Sequence, residues 1–200
     1  MKLLIFGLLL VSSAVFGAEQ KKSAAATNPA AEVAIIQTSE GDMVVQFWSD
    51  AATRTIENFT KLARAGFYNG TAFHRIMKRF MIQGGDPYTK DPAKEARYGD
   101  GGPGYTIKAE FNHHNHERGV ISMAREDNPD SAGSQFFICL ASVPRLDGKY
   151  TTFGKLIKGD EVLTKIGNTP VRKNSAGEMS NPVNRVVIRS IKIVPAGELK

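Results

Sequence analysis

FHRIMKRFMIQGGD, residues 73–86, is the stretch on which the reading of this chain turns. Phe73, Ile76 and Met77 alternate imperfectly with His74 and Arg75, and Met81 to Gln83 makes a second short extended piece. Apolar and polar residues in rough alternation predict two half-buried strands, and Gly84-Gly85 ends the pattern. An arginine, two aromatics, methionines and a glutamine therefore sit close together on extended backbone. A second stretch, GSQFFICL at residues 133–140, reads as a buried strand, and Leu146-Asp147-Gly148-Lys149 follows it.

Outward from this centre the chain reads as many short elements. Residues 33–38 and 43–48 are β-rich, and Ser39-Glu40-Gly41-Asp42 between them predicts a hairpin. A helix is expected over 53–65. Ile56, Phe59 and Ala63 recur at helical spacing, and Arg54, Glu57, Lys61 and Arg64 fall largely on the other face. Ser49 or Asp50 would cap its start, and Gly66 suits its end. Residues 87–104 read as loop. Short strands are expected at 107–111, 119–124, 135–140 and 151–157, a helix at 160–166 capped by Asp160, and an alternating strand at 186–194. Short strands, frequent turns and two separated helices predict a mainly β fold: a closed eight-stranded antiparallel barrel with two flanking helices. Side chains fill the interior of so small a barrel, which puts a ligand site on its outer wall.

Composition bounds the function. At 200 residues and 42% apolar, the chain suits one packed domain with appendages. The net charge of +6 comes from dispersed basic residues, with no aromatic-basic stripe, so no nucleic-acid partner is expected. Cys139 is the single cysteine, so no intramolecular disulfide forms, and within FFICL it reads as a small buried hydrophobe. Residues 112–116, NHHNH, read as solvated loop rather than a metal site. Gly101, Gly102 and Gly104 lack the Lys-Ser/Thr that a phosphate loop needs. No metal and no cofactor are expected.

The N-terminus reads as an export signal over residues 1–17. Lys2 is its charged start, residues 3–11 its apolar core, and small residues precede Ala18. That core is too short to span a bilayer on its own. Contact with a membrane would come only through an uncleaved signal. Residues 18–31 read as a flexible tether, and 32–197 as the folded domain. Export places that domain in a periplasm or outside the cell.

Several blocks in order, TIENF, FHRIMKRFMIQGGD, GGPGYTIKAEF, GVISMARE, SAGSQFFICL, LDGKY and FGKLIKG, resemble the cyclophilins, the peptidyl-prolyl cis–trans isomerases. The resemblance covers roughly residues 33–194 and is nearest to compact bacterial-type members, with a longer segment at 90–98. It implies catalysis by Arg75, and a proline pocket of Phe80, Met81, Phe137 and Leu146. Gln83 would donate to a substrate carbonyl, with Ala124, Arg125, Gln135 and Tyr150 completing the binding surface. Substrates would be proline-containing unfolded or folding polypeptides. Three positions depart from the common pattern: Arg125 replaces an asparagine, Tyr150 a histidine and Arg145 the tryptophan of cyclosporin-sensitive members. Weak cyclosporin binding is expected. The alternative reading is a proline-peptide binding module on the same barrel, with catalysis incidental.

Overall fold

The computed structural model describes residues 32–199. The expected signal and tether lie outside the described residues. The chain runs β1 (Glu32–Thr38), β2 (Asp42–Phe47), α1 (Thr53–Arg64), β3 (Ala72–Phe73), β4 (Arg75–Met77), β5 (Met81–Gly84), β6 (Val120–Met123), β7 (Phe136–Cys139), β8 (Thr152–Lys158), α2 (Asp160–Gly167), β9 (Val171–Lys173), β10 (Met179–Pro182) and β11 (Val186–Pro195). Nine strands form one antiparallel sheet in the order β3-β11-β1-β2-β8-β6-β7-β5-β4. Only His74 separates β3 from β4. One extended run thus pairs with β11 through its first half and with β5 through its second, which nearly closes the sheet into a barrel. Taken as one strand, β3 and β4 restore the expected eight.

Alternation along the strands builds two apolar clusters. Ile76, Ile82, Ile121, Met123, Phe136 and Ile138 point into the barrel with Ile36, Val45, Phe153 and Ile188. α1 closes one end. Its Phe59 is fully buried, with ring centroids 5.2–6.0 Å from those of Phe47, Tyr68, Phe136 and Phe153. Burying such a ring is worth about 1.5–3 kcal/mol. The intervening residues Met81, Phe137 and Cys139 face outward, where Val143, Met77, Phe80, Ala124, Leu146 and Tyr150 cover them. Cys139 is buried as expected, and burial pushes its thiol up to about 12.

Several local expectations are corrected. Ala52 stands at the N-cap of α1, and no neighbouring side chain caps the helix. Instead Glu110 reaches across: Oε1 accepts from Arg54 N (3.2 Å), and Oε2 from Thr55 N and Thr55 Oγ1 (2.7 Å each). Gly66 follows the helix with φ +67°, a conformation suited to glycine. α2 starts after Gly159 rather than on an Asp160 cap. The Asp160 carboxylate accepts from Arg118 at 2.8 and 3.0 Å. Residues 107–111 form no strand; only Ile107 bridges to Ala132. Side chains satisfy that backbone instead: Ala109 N donates to Asp130 and Glu110 N to Thr151 Oγ1. Two 3-10 turns, Pro87–Lys90 and Pro92–Arg97, occupy the expected loop. The sequence patterning did not anticipate the β9–β10 hairpin at all.

Candidate active site

Strand register lays the site out as one row. Arg75 on β4 pairs with Gln83 on β5, Gln83 with Phe137 on β7, and Phe137 with Ser122 on β6. Residues directly opposite on neighbouring strands share a face. The outward face therefore carries guanidinium, amide and aromatic ring side by side. Next to that row lies a notch of 110 Å³ lined by Arg75, Phe80, Met81, Gln83, Ala124, Arg125, Phe137, Leu146 and Tyr150. A dry cavity of about 150 Å³ holds benzene, so this notch suits a smaller ring. The structure thus brings together every site residue singled out from the sequence except Gln135, which stands just behind.

Each wall is held by its own element. Phe80 sits in the β4–β5 turn, where Arg79 adopts φ +60° and Phe80 N donates to Met77 O. Leu146 ends a 3-10 turn, Pro144–Leu146. The floor ring of Phe137 stacks on His116, with centroids 5.8 Å apart and planes at 12°. His116 in turn is fixed by Asp147, which accepts from His116 N at 2.7 Å and lies 2.9 Å from Nδ1. Burial lowers the His116 pKa against the opposing pull of Asp147, and the backbone N–H and ring of His116 hold Asp147 below the usual carboxylate range. The NHHNH run is thus not uniformly solvated loop. His116 is buried, and His114 stacks on Trp48 at 3.9 Å.

Polar groups form a chain of contacts. Gln83 Nε2 donates to Gln135 Oε1 (3.0 Å), and Gln135 Nε2 donates to Gly99 O (2.6 Å) and Gly101 O (2.8 Å). This leaves one Gln83 N–H for a ligand. Asp86 anchors the 87–101 segment by accepting from Tyr88 N and Gly99 N. Gly101 must be glycine here, because a Cβ would stand 2.0 Å from Asp86 Oδ1. A wider groove of 480 Å³, lined by residues 99–106 and Gln135, adjoins the notch and shares Gln83, Ala124 and Arg125 with it.

The residue that sequence reasoning missed is Glu178, beside β10. Its carboxylate grips Arg75 in a bidentate pair, Nε–Oε2 at 2.7 Å and Nη2–Oε1 at 2.8 Å. Arg75 Nη1 has only a long contact of 3.4 Å, to Gln83 Oε1. The Arg75 hydrogen bonds hold the Glu178 carboxyl below its usual range. No local signal could have found this partner, 103 positions away along the chain.

A family model described as cyclophilin type peptidyl-prolyl cis-trans isomerase/CLD matches residues 33–193. The chain belongs to this family. It is a cyclophilin-type peptidyl-prolyl cis–trans isomerase. A peptidyl-prolyl cis-trans isomerase of Helicobacter pylori is 43% identical over 137 residues, covering 66% of this chain and 78% of that one. One from Synechococcus elongatus is 44% identical over 122 residues, 61% of this chain and 78% of that one. Against peptidyl-prolyl cis-trans isomerase-like 2 of Cryptococcus neoformans the cyclophilin is 39% identical but spans only 27% of that longer protein. Among solved structures, a Cryptosporidium parvum cyclophilin type peptidyl-prolyl cis-trans isomerase, studied in the presence of the dipeptide Ala-Pro, superposes with a TM-score of 0.72. It is 34% identical and covers 81% of this chain and 98% of its own. In this cyclophilin, the Arg145 that replaces tryptophan lays its guanidinium 4.6 Å over the Phe80 ring.

Proposed function

We propose that this cyclophilin rotates X-Pro bonds in unfolded or folding polypeptides by assisting the twisted amide, with no covalent step. Resonance sets a barrier of about 18–20 kcal/mol to that rotation. Twisting returns lone-pair character to the proline nitrogen. A fixed N–H donor aimed at it binds the twisted state better than the planar one, which is the requirement for rate enhancement. The observation that carries the reading is the arrangement of Arg75. Glu178 takes Nε and one N–H of Nη2, and Nη1 is left beside Gln83 at the lip of a notch with Phe80, Met81, Phe137 and Leu146 among its walls. An apolar pocket suits a proline ring, which has no N–H to satisfy. The free N–H of Gln83 suits the carbonyl of the substrate, and arginine stays charged at any working pH.

The test is a prolyl-isomerisation assay on the described domain and on Arg75→Ala. Loss of one such donor lowers kcat by about 10²–10³-fold. Equal rates would remove the mechanism. A wild-type domain that binds proline peptides without accelerating their rotation would favour the binding-module alternative. We also infer export, on the strength of Lys2 and the apolar residues 3–11. N-terminal sequencing of protein recovered outside the cytoplasm should begin at Ala18, and a chain found only in the cytoplasm with Met1 intact would refute it.

A further inference from the structure

Two guanidiniums line the notch and a third, that of Arg145, lies over its Phe80 wall; their charges are balanced differently. Arg75 is neutralised by the bidentate Glu178. Arg125 is not. Its ring-like head lies 4.6 Å over Tyr150, and its N–H groups go to the backbone carbonyls of Lys149, Glu126 and Asp127. Arg145 lies 4.6 Å over Phe80. Among the described residues neither Arg125 nor Arg145 has a carboxylate within ion-pair distance. The nearest acids in sequence do not fill that role. Asp147 is committed to His116, and Glu126 is exposed and forms no ion pair.

Stacking on an aromatic face orients a guanidinium and leaves its in-plane N–H groups pointing outward. Arg125 spends most of its donors on carbonyls, whereas Arg145 donates to no oxygen of the described residues. Both rings beneath them, Tyr150 and Phe80, are walls of the notch. A proline seated there has its neighbours within one or two residues of these donors, since each extended residue spans about 3.3–3.6 Å. Arg125 also lines the adjoining groove, whereas Arg145 lines neither cavity and meets the site at its Phe80 wall.

We propose that this site prefers X-Pro segments carrying an aspartate or glutamate just before the proline or within two residues after it, with Arg145 as the specificity-determining side chain. The inference rests on the isomerase reading of the notch. A carboxylate meeting the Arg145 edge can accept two parallel N–H bonds, the geometry in which arginine outperforms lysine. Exposed pairs of this kind are worth about 0.2–1 kcal/mol, so the expected gain in kcat/KM is about 1.4- to fivefold over an alanine peptide.

The experiment compares four proline peptides: an all-alanine reference, and single glutamates one before, one after and two after the proline. At low salt at least one glutamate peptide should turn over about 1.4- to fivefold faster. The ratio should approach one in 1 M salt, where the Debye length falls to about 3 Å. Arg145→Gln should lower the ratio, and Arg145→Glu should bring it below one. Acceleration of the alanine peptide with ratios at or below one at all three positions overturns this inference alone, as does an unchanged ratio in Arg145→Gln. Failure to accelerate any peptide overturns the isomerase reading of the notch, and this inference with it.

Discussion

Glu110→Ala should destabilise the domain by about 2–3 kcal/mol while leaving the notch intact. The carboxylate takes the second and third backbone donors of α1, Arg54 N and Thr55 N, and also the Thr55 hydroxyl. Its side chain is only 13% exposed, and Thr55 is fully buried. Losing a helix cap costs about 0.5–2 kcal/mol. Leaving the buried Thr55 donor without an acceptor costs about 1–3 kcal/mol, part of which is the same loss counted again. The Arg54 side-chain contact adds little, because that arginine is 61% exposed. For a domain of this size each kcal/mol moves Tm by about 2–4 °C, so a fall of about 5–10 °C is expected. Burial pushes the Glu110 carboxyl up, but the Thr55 and Arg54 hydrogen bonds outweigh it and leave the pKa lowered. A carboxyl lowered in the folded state contributes its stability above the unfolded value of about 4.3, and loses it as pH falls through the folded value. Urea unfolding of wild type and Glu110→Ala should therefore differ fully at pH 7 and progressively less below pH 4. A difference under about 0.5 kcal/mol at pH 7 would refute the cap, because surface substitutions without such a role stay within that range. So would a gap that does not narrow in acid.

Two further outcomes concern the site. Glu178→Ala releases two of the three contacts that orient Arg75. Part of the roughly 2 kcal/mol of arginine rotamer entropy must then be lost again during catalysis, so kcat should fall about fivefold with KM nearly constant. Partial rescue by Glu178→Gln would mark a positioning role, and an unchanged kcat in both variants would exclude one. Cyclosporin should bind weakly, because a charged Arg145 replaces an indole beside Phe80. Isothermal titration should show tightening in Arg145→Trp, and wild-type affinity matching a tryptophan-bearing cyclophilin would contradict the argument.

The candidate site residues came from the family resemblance, because pattern alone does not tell a pocket wall from core packing; the structure separates the two. Arg75, Met81, Gln83 and Phe137 alternate with Ile76, Ile82, Phe136 and Ile138, and the second set fills the barrel while the first faces out. The α1 stripe of Ile56, Phe59 and Ala63 was equally plain. What failed was anything that depended on a distant partner. Ser49 and Asp50 looked like caps because they stand at the right place in sequence, yet Glu110 does the capping from 55 positions away. Residues 107–111 looked like a strand, but Asp130 and Thr151 satisfy their backbone. His116 looked solvated until Asp147 and Phe137 closed over it.

By itself the sequence determined which side chains share a face, because the two-residue period of a strand and the 3.6-residue period of a helix are local and fix direction without reference to the rest of the chain. Only the tertiary structure decided what each exposed charge would meet. Glu178 for Arg75, and carbonyls and aromatic faces in place of carboxylates for Arg125 and Arg145, are outcomes of barrel closure. Such pairings join segments with no common period, so no window of sequence contains them.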